Sequence, residues 1–294
     1  MRWEGNRESD NVEDVRDSSG RPGMGLPLGG GKLGLGGVAV ALVASYFLGI
    51  NPLTLLELLG GGGQMAVPTS PAPAPTGTPA HDPQTRFVRT VLADTEDVWR
   101  DVFTQAGGQY RDPHLVLFRG AVATGCGQGQ SATGPFYCPA DQKVYIDLGF
   151  YDVLRERLGA PGDFAQAYVI AHEIGHHVQN LMGTTEKVDA LRPRLSQAQY
   201  NALSVKLELQ ADCYAGVWAN RAQRARQIIE AGDVDEALNA AAQIGDDTLQ
   251  RNAGGHVAPE TFTHGTSAQR VHWFKRGMDS GDVAQCNTFD RKTP

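Results

Sequence analysis

Two histidines and a glutamate near the middle of the chain have the types and spacing of a metal-dependent hydrolytic site. His172 and His176 are four residues apart. On an α-helix both side chains project from one face, one turn apart, so their imidazoles can hold one Zn²⁺. Glu173 is rotated by about 100° around the helix axis, where it cannot be an equivalent ligand but can reach a water on the metal. The pattern His-Glu-x-x-His therefore predicts a zinc site with Glu173 as general base.

A catalytic zinc needs a third protein ligand and one open position. Glu208 lies in the next predicted helix after His176, and we predict that it is the third ligand. Asp212 is four residues further on and shares its helix face. We expect Asp212 to accept a hydrogen bond from the non-ligating nitrogen of a zinc-bound histidine, which would fix the tautomer of that ring. Both acids stand among apolar neighbours, which is unusual for solvated acids on a surface helix.

These residues predict a mechanism for peptide hydrolysis. We expect zinc to lower the pKa of its water, Glu173 to take the proton, and the hydroxide to attack a peptide carbonyl. The oxyanion would be held by zinc and by a donor across the cleft. His264 is the first candidate for that donor and Tyr145 is the second. Strand 144–147 is expected to offer an edge on which an extended substrate adds as a further strand.

Two other functions remain open at this stage. A non-catalytic scaffold protein could keep zinc for structure, but such a site prefers four protein ligands and has no use for a base such as Glu173. A zinc hydrolase of a non-peptide amide, such as cell-wall material, fits the same residues. Nucleic acid is not expected as a partner, because the net charge is -7 and phosphate binding needs a basic face.

The elements that must position these groups are mostly helical. Hydrophobic periodicity, capping residues and glycine stops predict helices at 84–106, 151–158, 163–182, 196–230, 233–251 and 266–277. Strands are predicted at 114–118 and 143–147, with a Gly-rich loop over 119–140. The expected class is α+β, mainly helical with a small sheet.

The composition before residue 84 predicts membrane attachment. It divides the chain into a polar cytoplasmic tail (1–32), an uncharged transmembrane helix (33–56), a Gly/Pro-rich linker (57–83) and a globular domain (84–294). A buried core helix is the alternative for the apolar segment. Arg16, Arg21 and Lys32 precede this segment, and the next basic residue after it is Arg86. The positive-inside rule then predicts a single-pass protein of the cell membrane with a cytoplasmic N-terminus and an extracytoplasmic domain.

All four cysteines follow the apolar segment, which suggests an oxidising compartment and two disulfides. Four cysteines allow three connectivities. Cys126 with Cys138 would close a short Gly-rich loop, and Cys213 with Cys286 would tie the C-terminus to a helix, so we favour this pairing. Four free buried thiols are the alternative.

Short motifs are spread over nearly the whole chain, at residues 1–5 (MRWEG), 11–14 (NVED), 134–141 (GPFYCPAD), 144–147 (VYID), 172–176 (HEIGH), 208–212 (ELQAD) and 263–270 (THGTSAQR). With these motifs the chain resembles the bacterial neutral zinc metallopeptidases of the membrane-anchored type. The resemblance implies a single-pass protein whose catalytic domain is glutamate-zincin-like. From the residues described above, we expect Zn²⁺ as cofactor and a peptide or protein as substrate.

Overall fold

A computed structural model describes residues 1–16, 82–130 and 134–290. Its helices are α1 (Pro83–Gln105), α2 (Gly149–Glu156), α3 (Asp163–Leu181), α4 (Thr184–Asp189), α5 (Gln197–Arg226), α6 (Asp233–Gln243), α7 (Asp246–Asn252) and α8 (Ser267–Ser280). Its strands are β1 (Val12–Asp14), β2 (His114–Phe118), β3 (Ala121–Thr124), β4 (Gly127–Gln130), β5 (Phe136–Cys138) and β6 (Lys143–Asp147). The predicted α+β class, mainly helical with a small sheet, is confirmed.

The sheet has the strand order β1-β2-β6-β5. Strands β1, β2 and β6 are parallel, and β5 runs antiparallel to β6. The prediction that 144–147 is an edge is therefore wrong, because β6 lies between two partners. The prediction of a loop over 119–140 is also wrong in part, since β3 and β4 form an antiparallel pair there and β5 is the edge strand.

The sheet packs its two faces against different surroundings. Side chains alternate along β6, so Val144 and Ile146 enter the main core with the helices, whereas Tyr145 points to the opposite face. On that opposite face Tyr145 packs with Val116 and Phe118 of β2. The main core thus lies on the side of β6 that carries Val144 and Ile146.

Helices α3 and α5 cross at close range because Gly175 has no side chain. A Cβ atom on Gly175 would lie 2.9 Å from the carbonyl oxygen of Ala211, which is tighter than ordinary side-chain contacts allow. The crossing places the face of α3 with the two histidines opposite Glu208 and Asp212 of α5.

Helix α8 packs on α5 through a second pair of glycines. A Cβ on Gly277 would overlap the carbonyl oxygen of Cys213, and one on Gly216 would overlap the backbone of α8. A capping box of Thr266 and Gln269 starts α8, close to the predicted start of this helix. The single helix predicted over 233–251 is two helices, α6 and α7, which are separated near Gly245.

Residues 1–16 belong to the globular domain. Strand β1 pairs with β2, the ring of Trp3 lies 5.4 Å from that of Phe87, and Ser9 donates a hydrogen bond to buried Glu96. The predicted separate tail of residues 1–32 is therefore wrong for residues 1–16. The compartment of the N-terminus and of the domain stays a prediction from the sequence.

The predicted transmembrane helix 33–56 and nearly all of the linker 57–83 lie outside the described residues. Within the described ranges, no helix combines the length and the apolar character that a membrane crossing requires. Membrane attachment therefore stays a prediction from the sequence.

Candidate metal centre

Three side chains converge where α3 crosses α5. The Nε2 atoms of His172 and His176 are 3.2 Å apart. Glu208 places Oε2 at 3.1 Å from His172 Nε2 and Oε1 at 3.5 Å from His176 Nε2. Ligand atoms about 2.1 Å from a tetrahedral ion are about 3.4 Å from one another. The spacing of the three groups, which the sequence analysis predicted as ligands, therefore fits one Zn²⁺.

The first histidine is oriented by a buried carboxylate. Asp212, which is fully buried, accepts a hydrogen bond from His172 Nδ1 at 2.8 Å and from the Tyr168 hydroxyl at 2.6 Å. Arg270 donates two further bonds to it, each at 2.9 Å. Burial raises the pKa of Asp212, but Arg270 and His172 lower it more, so the carboxylate is ionised. With its proton on Nδ1, His172 presents the Nε2 lone pair to Glu208.

The second histidine is oriented by an amide. His176 Nδ1 lies 2.9 Å from Oε1 of Gln179, whose NH₂ group donates to the Leu207 carbonyl oxygen at 2.7 Å. Leu207 offers only an acceptor there, so the amide oxygen faces His176 and accepts from Nδ1–H. The Nε2 lone pair of His176 then faces the same point as that of His172.

This donor set is suited to a cation. Two imidazole lone pairs and the Glu208 carboxylate face one another at 3.1–3.5 Å, an arrangement that is favourable only when positive charge lies between them. Burial lowers the pKa of His172, but the charge and hydrogen bond of Asp212 and the bond to Glu208 raise it to about 10. The site therefore favours positive charge at this point.

A cleft of about 430 Å³ opens over the three ligands. Glu173 lines it, and its carboxylate has no hydrogen-bond or ion-pair partner among the described residues. The apolar side chains of Phe136, Phe150, Val169 and Leu249 line other parts of the cleft. An acid with no competing partner beside a metal centre can accept a proton from a water.

His264 also lines the cleft, as predicted. Its Nδ1 lies 3.2 Å from Oδ1 of Asp246, whose other oxygen accepts the backbone N–H groups of residues 263–265. Burial lowers the pKa of His264, but Glu208 and Asp246 raise it above its usual value. The ring is therefore held in place and favours the protonated form, which is a hydrogen-bond donor.

Tyr145, the second predicted oxyanion donor, does not reach the cleft, and this prediction is wrong. Its hydroxyl donates to Asp141 at 2.7 Å on the far face of the sheet. The physical reason is the alternation of side chains along β6, which sends the neighbours of Tyr145 toward the helices and Tyr145 away from them.

The tyrosine that does line the cleft is Tyr137 of β5. Its hydroxyl lies 3.1 Å from His177 Nδ1 and accepts a bond from Asn180 at 3.1 Å. His177 Nε2 donates to the Arg111 carbonyl oxygen at 2.6 Å, so Nδ1 is the acceptor for the tyrosine. Burial lowers the pKa of His177 to about 4, and the ring is neutral. His177 thus fixes the edge strand on α3 instead of binding the metal.

Both favoured disulfides are present. Cys126–Cys138 ties the turn between β3 and β4 to the edge strand β5, and Cys213–Cys286 ties the C-terminal segment to α5. Cys213 follows Asp212 directly, so the second disulfide stabilises the helix turn that orients His172.

Three residues of the centre were missed by the sequence analysis: Tyr168, Gln179 and Arg270. Gln179 lies three residues after His176 and Tyr168 four before His172, so helical spacing could have identified both. Arg270 is 58 positions from Asp212. Its role depends on the packing of α8 against α5, for which the local sequence gives no signal.

Comparisons with known proteins agree with this site. A family model described as "Putative neutral zinc metallopeptidase" matches residues 1–289. Uncharacterized protein YpfJ of Escherichia coli K12 is 54% identical over 99% of both chains. Uncharacterized protein Rv2575 of Mycobacterium tuberculosis H37Rv is 42% identical over 69% of this chain and 71% of its own length. No solved structure matches the chain.

Proposed function

Because the chain belongs to the neutral zinc metallopeptidase family, we propose that it is a zinc-dependent hydrolase of peptide bonds with a glutamate-zincin-like domain. The supporting observation is the convergence of His172, His176 and Glu208 beside Glu173, which has no partner among the described residues. The relatives named above are themselves uncharacterized, so the proposal depends on the family and on this geometry.

The ligands and the base have separate roles in this proposal. His172, His176 and Glu208 would hold Zn²⁺, which would polarise the peptide carbonyl and lower the pKa of a water. Glu173 accepts the proton of the attacking water and returns it to the leaving amine. His264, oriented by Asp246, donates a hydrogen bond to the oxyanion that develops on the carbonyl oxygen.

An extended peptide is the substrate that best fits the cleft. Strand β5 borders it through Phe136 and Tyr137, and it is paired on one side only within the described sheet. A peptide can add to the unpaired side as a further strand, with its apolar side chains in the lined cleft. We therefore propose β5, instead of strand 144–147, as the edge strand to which the substrate adds. The apolar segment 33–56 would bring this activity to a membrane surface.

The test uses the zinc-loaded full chain and a peptide library. We expect wild-type cleavage, and we expect Glu173→Gln to bind zinc as tightly as the wild type while hydrolysis is abolished. Glu156→Gln, which changes an exposed glutamate in α2, is the matched control and should cleave normally. Undiminished turnover in Glu173→Gln would refute the role of the base. Cleavage of cell-wall amides without any peptide cleavage would refute the proposed substrate, and zinc binding without hydrolysis of either would indicate a scaffold protein.

A further inference from the structure

A continuous chain of hydrogen bonds runs from His176 to the C-terminal disulfide. It begins with His176 Nδ1 and Gln179 Oε1 at 2.9 Å. The NH₂ group of Gln179 then donates to Oε1 of Gln210 at 3.1 Å as well as to the Leu207 carbonyl. The NH₂ group of Gln210 donates to the carbonyl oxygen of Cys286 at 2.9 Å. Both glutamines are buried.

The direction of every hydrogen bond in this series is fixed by the carbonyl oxygen of Cys286, at which the series ends. The Cys286 carbonyl can only accept, so Gln210 turns its NH₂ group toward it and its oxygen toward Gln179. Gln179 must then donate to Gln210 and to Leu207, which leaves its oxygen for His176. His176 can only donate from Nδ1. The chain therefore selects the tautomer whose Nε2 lone pair faces the metal position.

We propose that Gln179 and Gln210 are positioning residues for the zinc ligand His176, and that the Cys213–Cys286 disulfide anchors them. The inference rests on the proposed zinc site. The two histidine ligands are supported differently, because Asp212 is an anion stabilised by Arg270, whereas Gln179 is neutral. Hydrogen bonds to charged groups are roughly twice as strong as those between neutral groups. His176 is thus the more weakly held ligand, and its orientation depends on the whole chain.

The disulfide stabilises the far end of this chain. It joins Cys286 to Cys213 of α5, and Gln210 lies one turn before Cys213 on the same helix. Thr288, just beyond the disulfide, also donates a hydrogen bond to the Lys206 carbonyl oxygen at 2.7 Å. The C-terminal segment is therefore fixed along the turns of α5 that carry Glu208 and Gln210. The carbonyl oxygen of Cys286 is therefore held in place as the acceptor for the NH₂ group of Gln210.

The test measures the zinc dissociation constant of the full chain by competition with a chromophoric chelator. Loss of a partner of a metal-bound histidine typically costs 10–100-fold in affinity. We expect Gln179→Leu to weaken zinc binding by about 10- to 100-fold and Gln210→Leu to weaken it by a smaller factor. Gln179→Glu keeps an acceptor for His176 but turns its second carboxylate oxygen toward the Leu207 carbonyl and Gln210 Oε1, so we expect it to recover only part of the affinity that Gln179→Leu loses. Gln105→Leu, at an exposed glutamine of α1, is the control and should bind like the wild type.

A second readout is the ¹⁵N–¹H signal of His176 Nδ1–H in the zinc-loaded protein. This proton should be observed in the wild type and in Gln179→Glu, and it should exchange with water in Gln179→Leu. Wild-type protein that binds no zinc would refute the proposed function itself. Wild-type zinc affinity in Gln179→Leu, or a retained Nδ1–H signal in that variant, would refute the positioning role and leave the proposed function intact.

Discussion

The Asp212–Arg270 pair allows stability and zinc affinity to be tested separately. Both side chains are almost completely buried, and two hydrogen bonds of 2.9 Å join them. Asp212→Leu would remove the carboxylate and leave the guanidinium of Arg270 buried without its anion. Asp212→Leu with Arg270→Met removes both charges and keeps apolar volume in the same place.

The structure gives a magnitude for each variant. Removing one partner of a buried ion pair costs about 3–5 kcal/mol of the unfolding free energy, because the other charge stays buried, whereas replacing both partners is often close to neutral. The double variant still leaves the Tyr168 hydroxyl without its acceptor, which costs about 1–3 kcal/mol. Asp212→Leu alone bears the same cost, so we expect the double variant to be more stable than Asp212→Leu alone by about 3–5 kcal/mol.

Zinc affinity should follow a different pattern, because both variants remove the acceptor of His172 Nδ1–H. We expect each of them to bind zinc about 10- to 100-fold more weakly than the wild type. The assays are urea unfolding of the metal-free protein and zinc titration against a chelator. A double variant no more stable than Asp212→Leu, or one that recovers wild-type zinc affinity, would refute this account of Asp212.

Three further predictions concern other parts of the centre. Gly175→Ala gains about 1 kcal/mol of helix propensity but forces α3 away from Ala211, so we expect a net loss in urea unfolding and weaker zinc binding; a more stable variant would contradict the close approach. Replacing Cys126 and Cys138 together by alanine opens a short loop, with a sequence separation of 12, and should lower the unfolding free energy by about 3 kcal/mol; unchanged stability would argue against a constraint. Burial raises the pKa of Asp246, but His264 and backbone N–H groups lower it below its usual value. The contribution of Asp246 to the unfolding free energy is therefore complete above about 3.9, the pKa of the carboxyl group in the unfolded chain. It is lost as the pH falls through the lower pKa that Asp246 has in the folded protein. Between pH 5 and 3, unfolding free energies should fall more steeply for the wild type than for Asp246→Asn, and parallel curves would contradict this assignment.

Local spacing predicted the features of the site that depend on one helix turn. His172 with His176 and Glu208 with Asp212 are pairs at four-residue spacing, so a single helix fixes their common face. The meeting of the two pairs was inferred from zinc chemistry, which demands a third ligand. The cysteine pairing was also predicted, because loop length and helix placement favoured one connectivity.

The errors arise where distant segments pack together. Tyr145 was assigned to the cleft because its position in the sheet was unknown, and the strand order β1-β2-β6-β5 cannot be read from local periodicity. Arg270 was missed because only the glycine contacts between α5 and α8 bring it to Asp212. Residues 1–16 were separated from the domain because composition divides the chain before the apolar segment, whereas strand pairing joins them to it.

The place of residues 1–16 in the sheet also determines when, during synthesis, these residues can fold. Strand β1 cannot pair until β2 has been made, and the Arg2 backbone N–H bonds to the carbonyl oxygen of Ile228 at 2.8 Å. Residues 1–16 are thus made well before the segments that they contact. Such long-range pairing slows folding, because the loop must close before its contacts form. Until β2 and Ile228 have been made, these contacts of residues 1–16 cannot form.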